Sequence, residues 1–520
     1  MQSRTLRILP IFLFVVLLPM MIFRDFTPSN ELRYLSIADE AIGNGDIFTF
    51  SNQGEPYADK PPLYLWIVML GRWLFGEHAM WFLSLFSLVP ALVIIYTMNR
   101  WVERVTTPAE RVTATLQLMS CGLFLGLSFF LRMDMLMNMF ITLAIYTFYR
   151  MYSGEADPLR SQFLFGMWLF LAIFTKGPVG LLVPLVSTVT FLVVKRKLGT
   201  IGRYWGWRTW TVLLVGCGLW WGGVLAEGGE EYLRNLLFHQ TFDRAVDAFH
   251  HKEPFYYYLI SFWYSMAPWS LFAVFAIAAG VWRCLFWSDL EQLFLSVILS
   301  TLVMLSVFSS KIAIYLSPIF PFVIYLGALA CVKLKRRGYL TASVGVPAVV
   351  WIVALPGLVV VAHWPGFEWL NVGWIYCTAA ILMLAGVVAV AQLFRFRRTL
   401  RPAINSLALG LLVALFVGGF ALPKINARLG YGELCRRAVE VAEAEGVGRF
   451  YVWGIPRPEN MDVYLGQDVQ KISSTELLEG EIGDGVVLLS LKRLDKKREL
   501  RSFVAGRERD TVGRYLIVVP

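Results

Sequence analysis

The chain is short of charge, of histidine and of cysteine. Only 16% of its 520 residues are Asp, Glu, Lys or Arg, against about a quarter in an ordinary soluble domain. Its six cysteines stand singly, with Cys121, Cys217, Cys284, Cys331 and Cys377 in or beside apolar runs and Cys435 in the tail. Without a C-x-x-C pair, neither a disulfide framework nor a thiolate zinc site is expected. There is no H-E-x-x-H, no internal repeat and no low-complexity segment. No small-residue cleavage site follows the apolar run Ile8–Phe23; Arg24 and Asp25 come directly after it. That run therefore reads as an uncleaved first membrane helix rather than a signal peptide.

What replaces the charge is hydrocarbon. The composition is 57% hydrophobic and the mean hydropathy is +0.60. Apolar runs of roughly 17 to 25 residues, long enough to cross a bilayer, recur along most of the length. This predicts an all-α polytopic membrane protein rather than a β-barrel. About thirteen spans are expected on length and apolarity: 7–24, 80–99, 111–130, 134–151, 162–175, 177–194, 207–226, 257–281, 291–309, 311–331, 341–363, 371–393 and 404–422.

The formal net charge of +10 would suggest nucleic acid in a soluble protein. Here the cations gather in alternate short loops: Arg100, Arg104 and Arg111; Arg150 and Arg160; Lys195, Arg196 and Lys197; "KLKRR" at 333–337; "RFRRTLR" at 395–401. That is the positive-inside pattern, and it places the N-terminus in the cytoplasm. Two long loops, 25–79 and 227–256, then fall outside, together with the tail. The tail changes character near Lys424: "GELCRRAVEVAEAEGVG" reads as a helix, and "RFYVWG", "GVVLLSL" and "RYLIVVP" read as strands. The expected organisation is a membrane domain, 1–423, and a small outer α/β domain, 424–520.

Ionisable groups at membrane depth are costly and are functional suspects. Outside the basic loops they are Glu31, Arg33, Asp39, Glu40, Asp46, Asp59 and Lys60, then Arg132 and Asp134, then Lys176. His239, Asp243, Arg244, Asp247, His250, His251, Lys252 and Glu253 follow, and then Lys311 with Tyr315. Nearly all fall on the outer side fixed by loop charge, which argues for one outward-facing site. Solvated loop charges are the plainer reading of any single residue. That reading fits less well for the short turns "LRMDM" and "FSSKIAIY", which leave almost no loop to hold a charge.

Several of these residues keep two readings. In "SNELRYLSIADEAIGNGD" an imperfect apolar stripe predicts a surface-lying amphipathic helix, with Glu31 and Tyr34 on one face. In "YADKPPLYLW" the prolines suit a helix start, and Lys60 just before it is either an interfacial anchor or a phosphate partner. Asp134 is an N-cap or a catalytic carboxylate. The histidines near Arg244 suit proton transfer or a metal, and Asp59 either tunes Lys60 or joins His239 at a metal.

Taken in order, "NELRYLSIADEAIGNGDIFTFSNQGEPYADKPPLYLW", "LRMDMLMNMF", "FTKGPVGLLVPL", "TFDRAVDAFHHKEPFYYY" and "FSSKIAIYLSPIFP" resemble the membrane glycosyltransferases related to the 4-amino-4-deoxy-L-arabinose lipid A transferase. More distantly they resemble the protein O-mannosyltransferases. The resemblance spans about residues 7 to 330 and extends weakly to "GRFYVWGIPRPENMDVYLG". It implies the GT-C architecture and an inverting transfer of a sugar, an aminopentose among the options. The donor would be a polyprenyl-phosphate carrier, and the acceptor a lipid A, glycan or protein hydroxyl, at the outer face of the inner membrane.

The resemblance also implies roles. Lys60, Arg244 and Arg33 would bind donor phosphate. Glu31 or Asp134 would be the catalytic base. Tyr34, Asp59, His239, His250, His251, Lys311 and Tyr315 would line the substrate site. A lipid monophosphate carries less charge than a nucleotide diphosphate, so no cofactor is required, although a divalent metal stays open. The family usually opens its first loop with Asp-Glu where this chain has Asn30-Glu31. That removes a carboxylate and leaves room for a catalytically altered relative. A flippase of a lipid-linked sugar is the other alternative, but the inverted repeats and broken midplane helices of transporters are not evident.

Overall fold

The computed structural model describes residues 2–237, 253–335, 337–479, 483–497, 499–500, 504, 507 and 509–519. The chain enters the bundle through α1 (Gln2–Phe23). It then lays down α2 (Glu31–Asn44), a hairpin of β1 (Ser51–Asn52) and β2 (Glu55–Pro56), and α3 (Leu63–Phe75). The helices that follow are α4 (Met80–Trp101), α5 (Pro108–Met119), α6 (Gly122–Leu127), α7 (Met133–Tyr152), α8 (Pro158–Lys176), α9 (Val179–Val194) and α10 (Trp207–Arg234). Beyond the second long loop come α11 (Tyr257–Ser265), α12 (Ser270–Trp282), α13 (Asp289–Val307), α14 (Phe320–Leu334), α15 (Gly338–Ile352), α16 (Ala354–Ala362), α17 (Gly373–Arg395) and α18 (Arg401–Gly419).

Each apolar segment of the sequence falls on helix. Among the described residues nine helical segments are long and apolar enough to cross a membrane, ten if the bent pair α11–α12 is one span. The shortfall from thirteen has local causes. The segment 111–130 breaks between α5 and α6 at Ser120 and Cys121. Helix α7 is long enough but carries Asp134, Asn138, Thr142 and Thr147, all buried among neighbouring helices. Helix α9 has only 16 residues, and α11 meets α12 at 119°. Polar or short helices of this kind are tolerated because protein, not lipid, surrounds them.

The basic loops meet at one end of the bundle. Arg104 pairs with Glu155 at 2.5 Å, Lys195 with Asp289, and Lys333 with Glu291 at 2.5 Å. Several helices start there on designed caps. Thr107 and Glu110 form a capping box with Pro108 at the first turn, Ser288 and Glu291 form another, and Asp157 caps α8 ahead of Pro158. Side-chain oxygens satisfy the first free N–H groups at each of these ends.

At the opposite end the first long loop is an ordered scaffold. Gln53 and Gly54 both take positive φ, 58° and 76°, which suits the tight turn of the β1–β2 hairpin. Glu40 holds that turn by accepting from Ser51 Oγ at 2.5 Å, Gln53 N at 2.8 Å and Gly54 N at 2.9 Å. Glu227 on α10 accepts from three successive backbone N–H groups, Ile47, Phe48 and Thr49, at 3.0, 2.9 and 2.7 Å. Tyr232 accepts from Phe50 N at 3.0 Å and donates to Tyr57 O at 2.8 Å.

The tail folds on that scaffold. After α19 (Leu422–Leu429), α20 (Gly432–Glu445) precedes β3 (Phe450–Trp453), α21 (Asp462–Leu465), β4 (Gln470–Lys471), β5 (Val486–Ser490), β6 (Arg509–Val512) and β7 (Tyr515–Val518). The sheet order is β4-β3-β5-β7-β6, with β3 parallel to β4 and β5 and the β5–β7 and β7–β6 pairs antiparallel. The tail shares one apolar core with the first loop: Leu32, Leu35 and Ile37 of α2 pack in the same cluster as Tyr431, Leu434, Val486 and Leu488. Asp25, at the end of α1, accepts from Gly432 N at 2.8 Å and from the Tyr464 hydroxyl. Asn460 Nδ2 donates to Pro28 O at 2.8 Å.

Candidate active site at the loop end of the bundle

Two buried ion pairs define this end, and they are chemically unlike. The first joins Arg24 and Glu31, whose side chains are 5% and 1% exposed. The guanidinium makes a fork–fork contact with both carboxylate oxygens, at 2.5 and 2.7 Å. The same carboxylate accepts from Thr27 N and from Leu131 N, each at 2.7 Å. Two charged donors and two amides occupy Glu31, so it has little capacity left for a substrate proton. It is a clasp joining α1, α2 and the start of α7, and the geometry does not support a base at Glu31. Neighbouring Asn30 precedes α2 without a side-chain cap bond.

The second pair is built differently. Asp134 lies in the first turn of α7 and is 1% exposed. One carboxylate oxygen accepts from Lys176 Nζ, and the other from Arg132 Nε at 3.2 Å. Lys176 ends α8, and its ammonium lies 4.8 Å from the centroid of the Tyr315 ring. The turn after it, Gly177-Pro178, takes φ 100° and ψ −154° at Gly177, a conformation open essentially to glycine alone. Asp134 thus holds two cations at helix ends, where an incoming anion could meet them.

A third group extends the charge. The Arg33 guanidinium lies over the rings of Tyr34 and Tyr57, at 5.8 and 5.7 Å. Burial opposes its charge, but Tyr57, Tyr34 and Asp59 outweigh that and raise its pKa. Burial likewise raises the Tyr34 phenol, despite Arg132 and Arg33 close by. Tyr34 packs edge-on against Tyr64, centroids 5.7 Å apart. The Arg33–Asp59 and Tyr34–Arg132–Asp134 interactions link this group to the second pair.

Lys60 is half-buried just ahead of α3, between Ala58, buried among Phe174, Trp220 and Val224, and the buried prolines 61 and 62. Tyr64 of the same helix is buried, and Trp66 Nε1 donates to Ile47 O at 2.6 Å. Lys311 is 4% exposed and donates to the carbonyls of Glu253, at 2.9 Å, and Phe308. Arg244, His239, His250 and His251 lie outside the described residues. Among the described residues no three His, Cys, Asp or Glu side chains gather where they could hold a metal ion. The sequence reading gave no role to Arg132, Lys176 or Tyr57; the signal for the first two was a charge in a turn too short to solvate it.

The architecture, a polytopic helical bundle whose loop end carries the ionic clusters and a small mixed-sheet unit, is that of the GT-C class. It superposes on the crystal structure of ArnT from Cupriavidus metallidurans bound to undecaprenyl phosphate with a TM-score of 0.77, 17% identity and coverage of 99% of this chain and 98% of that one. Residues 59–221 match the family described as dolichyl-phosphate-mannose-protein mannosyltransferase. Among curated proteins, the undecaprenyl phosphate-alpha-4-amino-4-deoxy-L-arabinose arabinosyl transferase of Edwardsiella ictaluri is 26% identical over 270 residues, 51% of this chain and 48% of that one. The protein of the same description from Yersinia pestis is 24% identical over 479 residues, 86% of this chain and 83% of that one. The chain spans about half the length of the first two relatives it matches, 48% and 54%. Its fold is that of a multi-pass GT-C membrane protein, and its sequence is similar to the 4-amino-4-deoxy-L-arabinose transferases, in line with the resemblance carried by the order of motifs.

Proposed function

We propose that the protein is an inverting glycosyltransferase. It moves a sugar, of aminopentose type, from a polyprenyl-phosphate carrier to an acceptor hydroxyl on lipid A at the periplasmic face of the inner membrane. The observation that carries this reading is the Asp134–Lys176–Arg132 cluster where helices end: a buried carboxylate between a lysine 9% exposed and an arginine 27% exposed. The relatives' description as undecaprenyl-phosphate-dependent arabinosyl transferases supports the donor class and the enzymatic reading. An apolar cavity of about 550 Å3 between α9 and α13, lined by Val186, Leu299, Val303, Val307 and Phe308, would suit the carrier's hydrocarbon. It runs towards the end of α13, near Phe308 and Lys311.

In the transfer, the acceptor oxygen attacks the anomeric carbon, the bond from that carbon to the phosphate oxygen breaks, and polyprenyl phosphate leaves. Lys176, Arg132, Lys60 and Arg33 stabilise the negative charge that grows on the leaving phosphate in a site partly shielded from water. As the phosphate draws its cations, Asp134 gains basicity and accepts the acceptor's proton, a contribution of typically 10² to 10⁴ in rate. The test is reconstitution of the full chain in liposomes with undecaprenyl-phosphate aminoarabinose and lipid A. The expected result is release of undecaprenyl phosphate with a matching mass gain on lipid A, and a higher KM for donor in Lys60→Ala. Unchanged turnover of Lys60→Ala at limiting donor removes its phosphate role; donor crossing the bilayer without release of the carrier makes the protein a flippase.

A further inference from the structure

The opposite, basic end of the bundle holds a cavity of about 650 Å3 between α5, α14 and the start of α18. Lys335, Arg397, Arg398 and Arg401 line it, against a single carboxylate, Glu110. That carboxylate is committed to the α5 capping box, accepting from Thr107 N at 2.8 Å. Several other cations at this end are matched: Arg100 with Glu103, Arg104 with Glu155, Lys195 with Asp289, Lys333 with Glu291. Among the described residues none of the four cavity cations is in an ion pair. Concentrated positive charge without a partner is an anion site in waiting.

The wall below the cations is not that of a site for a free anion. Phe272, Ala328 and Ile404 line it with hydrocarbon. Gln117, nine residues into α5 and so about 14 Å from its start, also lines the cavity and is 1% exposed. Its Nε2 has no hydrogen-bond partner among the described residues. A buried amide left unpaired costs about 1–3 kcal/mol, so an acceptor belongs beside it. Charge at the mouth, an acceptor-seeking amide below and an apolar wall match a phosphate, an ester carbonyl and an acyl chain in that order.

We infer that this cavity binds one acidic glycerophospholipid of the inner leaflet, with its phosphate on Arg397, Arg398, Arg401 and Lys335 and an ester carbonyl accepting from Gln117. Basic pockets between membrane helices on the cytoplasmic side recognise acidic headgroups in this way. The inference is independent of the transfer reaction at the other end.

The test is native mass spectrometry of the full chain in detergent, titrated with phosphatidylglycerol, with phosphatidylcholine, and with phosphatidylglycerol in competition with inorganic phosphate. One phosphatidylglycerol per chain is expected to remain bound where phosphatidylcholine does not, and millimolar phosphate should not displace it. Removing two guanidinium charges in Arg397→Gln/Arg398→Gln should weaken retention roughly tenfold or more, since each basic side chain near an acidic headgroup contributes about 1 kcal/mol. The same-face control Arg196→Gln/Lys197→Gln should leave it unchanged. Gln117→Leu, which alters no charge, should weaken it several-fold even if the arginine variant folds poorly. Equal retention of both lipids, displacement by inorganic phosphate, or wild-type retention in Gln117→Leu overturns the inference.

Discussion

Lys176, the last residue of α8, donates to Asp134 in the first turn of α7, and the two side chains are 9% and 1% exposed. A buried pair is weak evidence of stability, but breaking it by removing one partner leaves an uncompensated charge and costs about 3–5 kcal/mol. Lys176→Met leaves Asp134 with the partly exposed Arg132 as its remaining cation, and should still lower the melting temperature of the purified protein. Asp134→Asn/Lys176→Met should restore most of it, because two neutral side chains of similar volume replace the buried charges and the remaining cation, Arg132, is 27% exposed and open to solvent. Transfer activity should be lost in both variants. Recovered folding without recovered activity is the outcome that separates a chemical role from a structural one; activity in the double variant sinks the proposed site.

Glu31 should behave in the opposite sense. Its carboxylate joins Arg24, Thr27 N and Leu131 N, so Glu31→Gln breaks a clasp between helices. The melting temperature should fall, again by the few kcal/mol expected of a broken buried pair. The turnover of the folded fraction, titrated by bound donor, should stay within about threefold of wild type, since removing a general base costs 10² or more. A stable Glu31→Gln with turnover reduced a hundredfold would return the base to Glu31.

The difference between these carboxylates shows what was legible in the sequence. The helix α2, the helix start after "DKPP", the clustering of costly charges at one end of the bundle, and the strands at 450–453, 486–490 and 515–518 all follow from periodicity, proline and loop charge. Strand β6, "RDTV", escaped because it is a polar edge strand whose pattern is exposed, intermediate, exposed, buried. Partnership is harder to read. Arg24 stands seven residues before Glu31, Lys176 stands 42 residues after Asp134, and no local period links either pair. Which carboxylate is saturated depends on where Leu131 N and Thr27 N point, and that is set by how α1, α2 and α7 close on one another.

The hairpin of α8 and α9 carries Lys176, and a glycine sets its spacing. A Cβ on Gly180 would stand 2.6 Å from the Ala172 carbonyl oxygen, so the backbones touch where "FTKGPVG" turns. Gly180→Ala adds one methyl group but forces α9 off α8, at the cost of about 1–3 kcal/mol typical of overpacking. Because Lys176 sits on that turn, the donor KM should rise as well. Thermal unfolding alongside donor titration checks both effects; an unchanged melting temperature would mean the helices are not in contact there.

Asp462 of α21 ties the tail to the first loop by accepting from Ser36 Oγ at 2.6 Å. Burial pushes its carboxyl up to about 6, Asp39 and Asp468 add to the rise, and the Ser36 bond only partly offsets it. An unfolded aspartate titrates near 3.9, so the folded state holds the proton more tightly. Stability from this group is therefore fully present below about pH 4, falls as pH rises to about 6, and is a constant cost above that. Asp462→Asn keeps an acceptor for Ser36 and removes the charge. It should stabilise the protein at pH 7.5 by about 1–2 kcal/mol, after allowance for the group's partial exposure, and have little effect at pH 4. Unfolding curves of the two proteins at both pH values test this. A gain of equal size at pH 4 would show that the substitution acts through packing rather than through the proton.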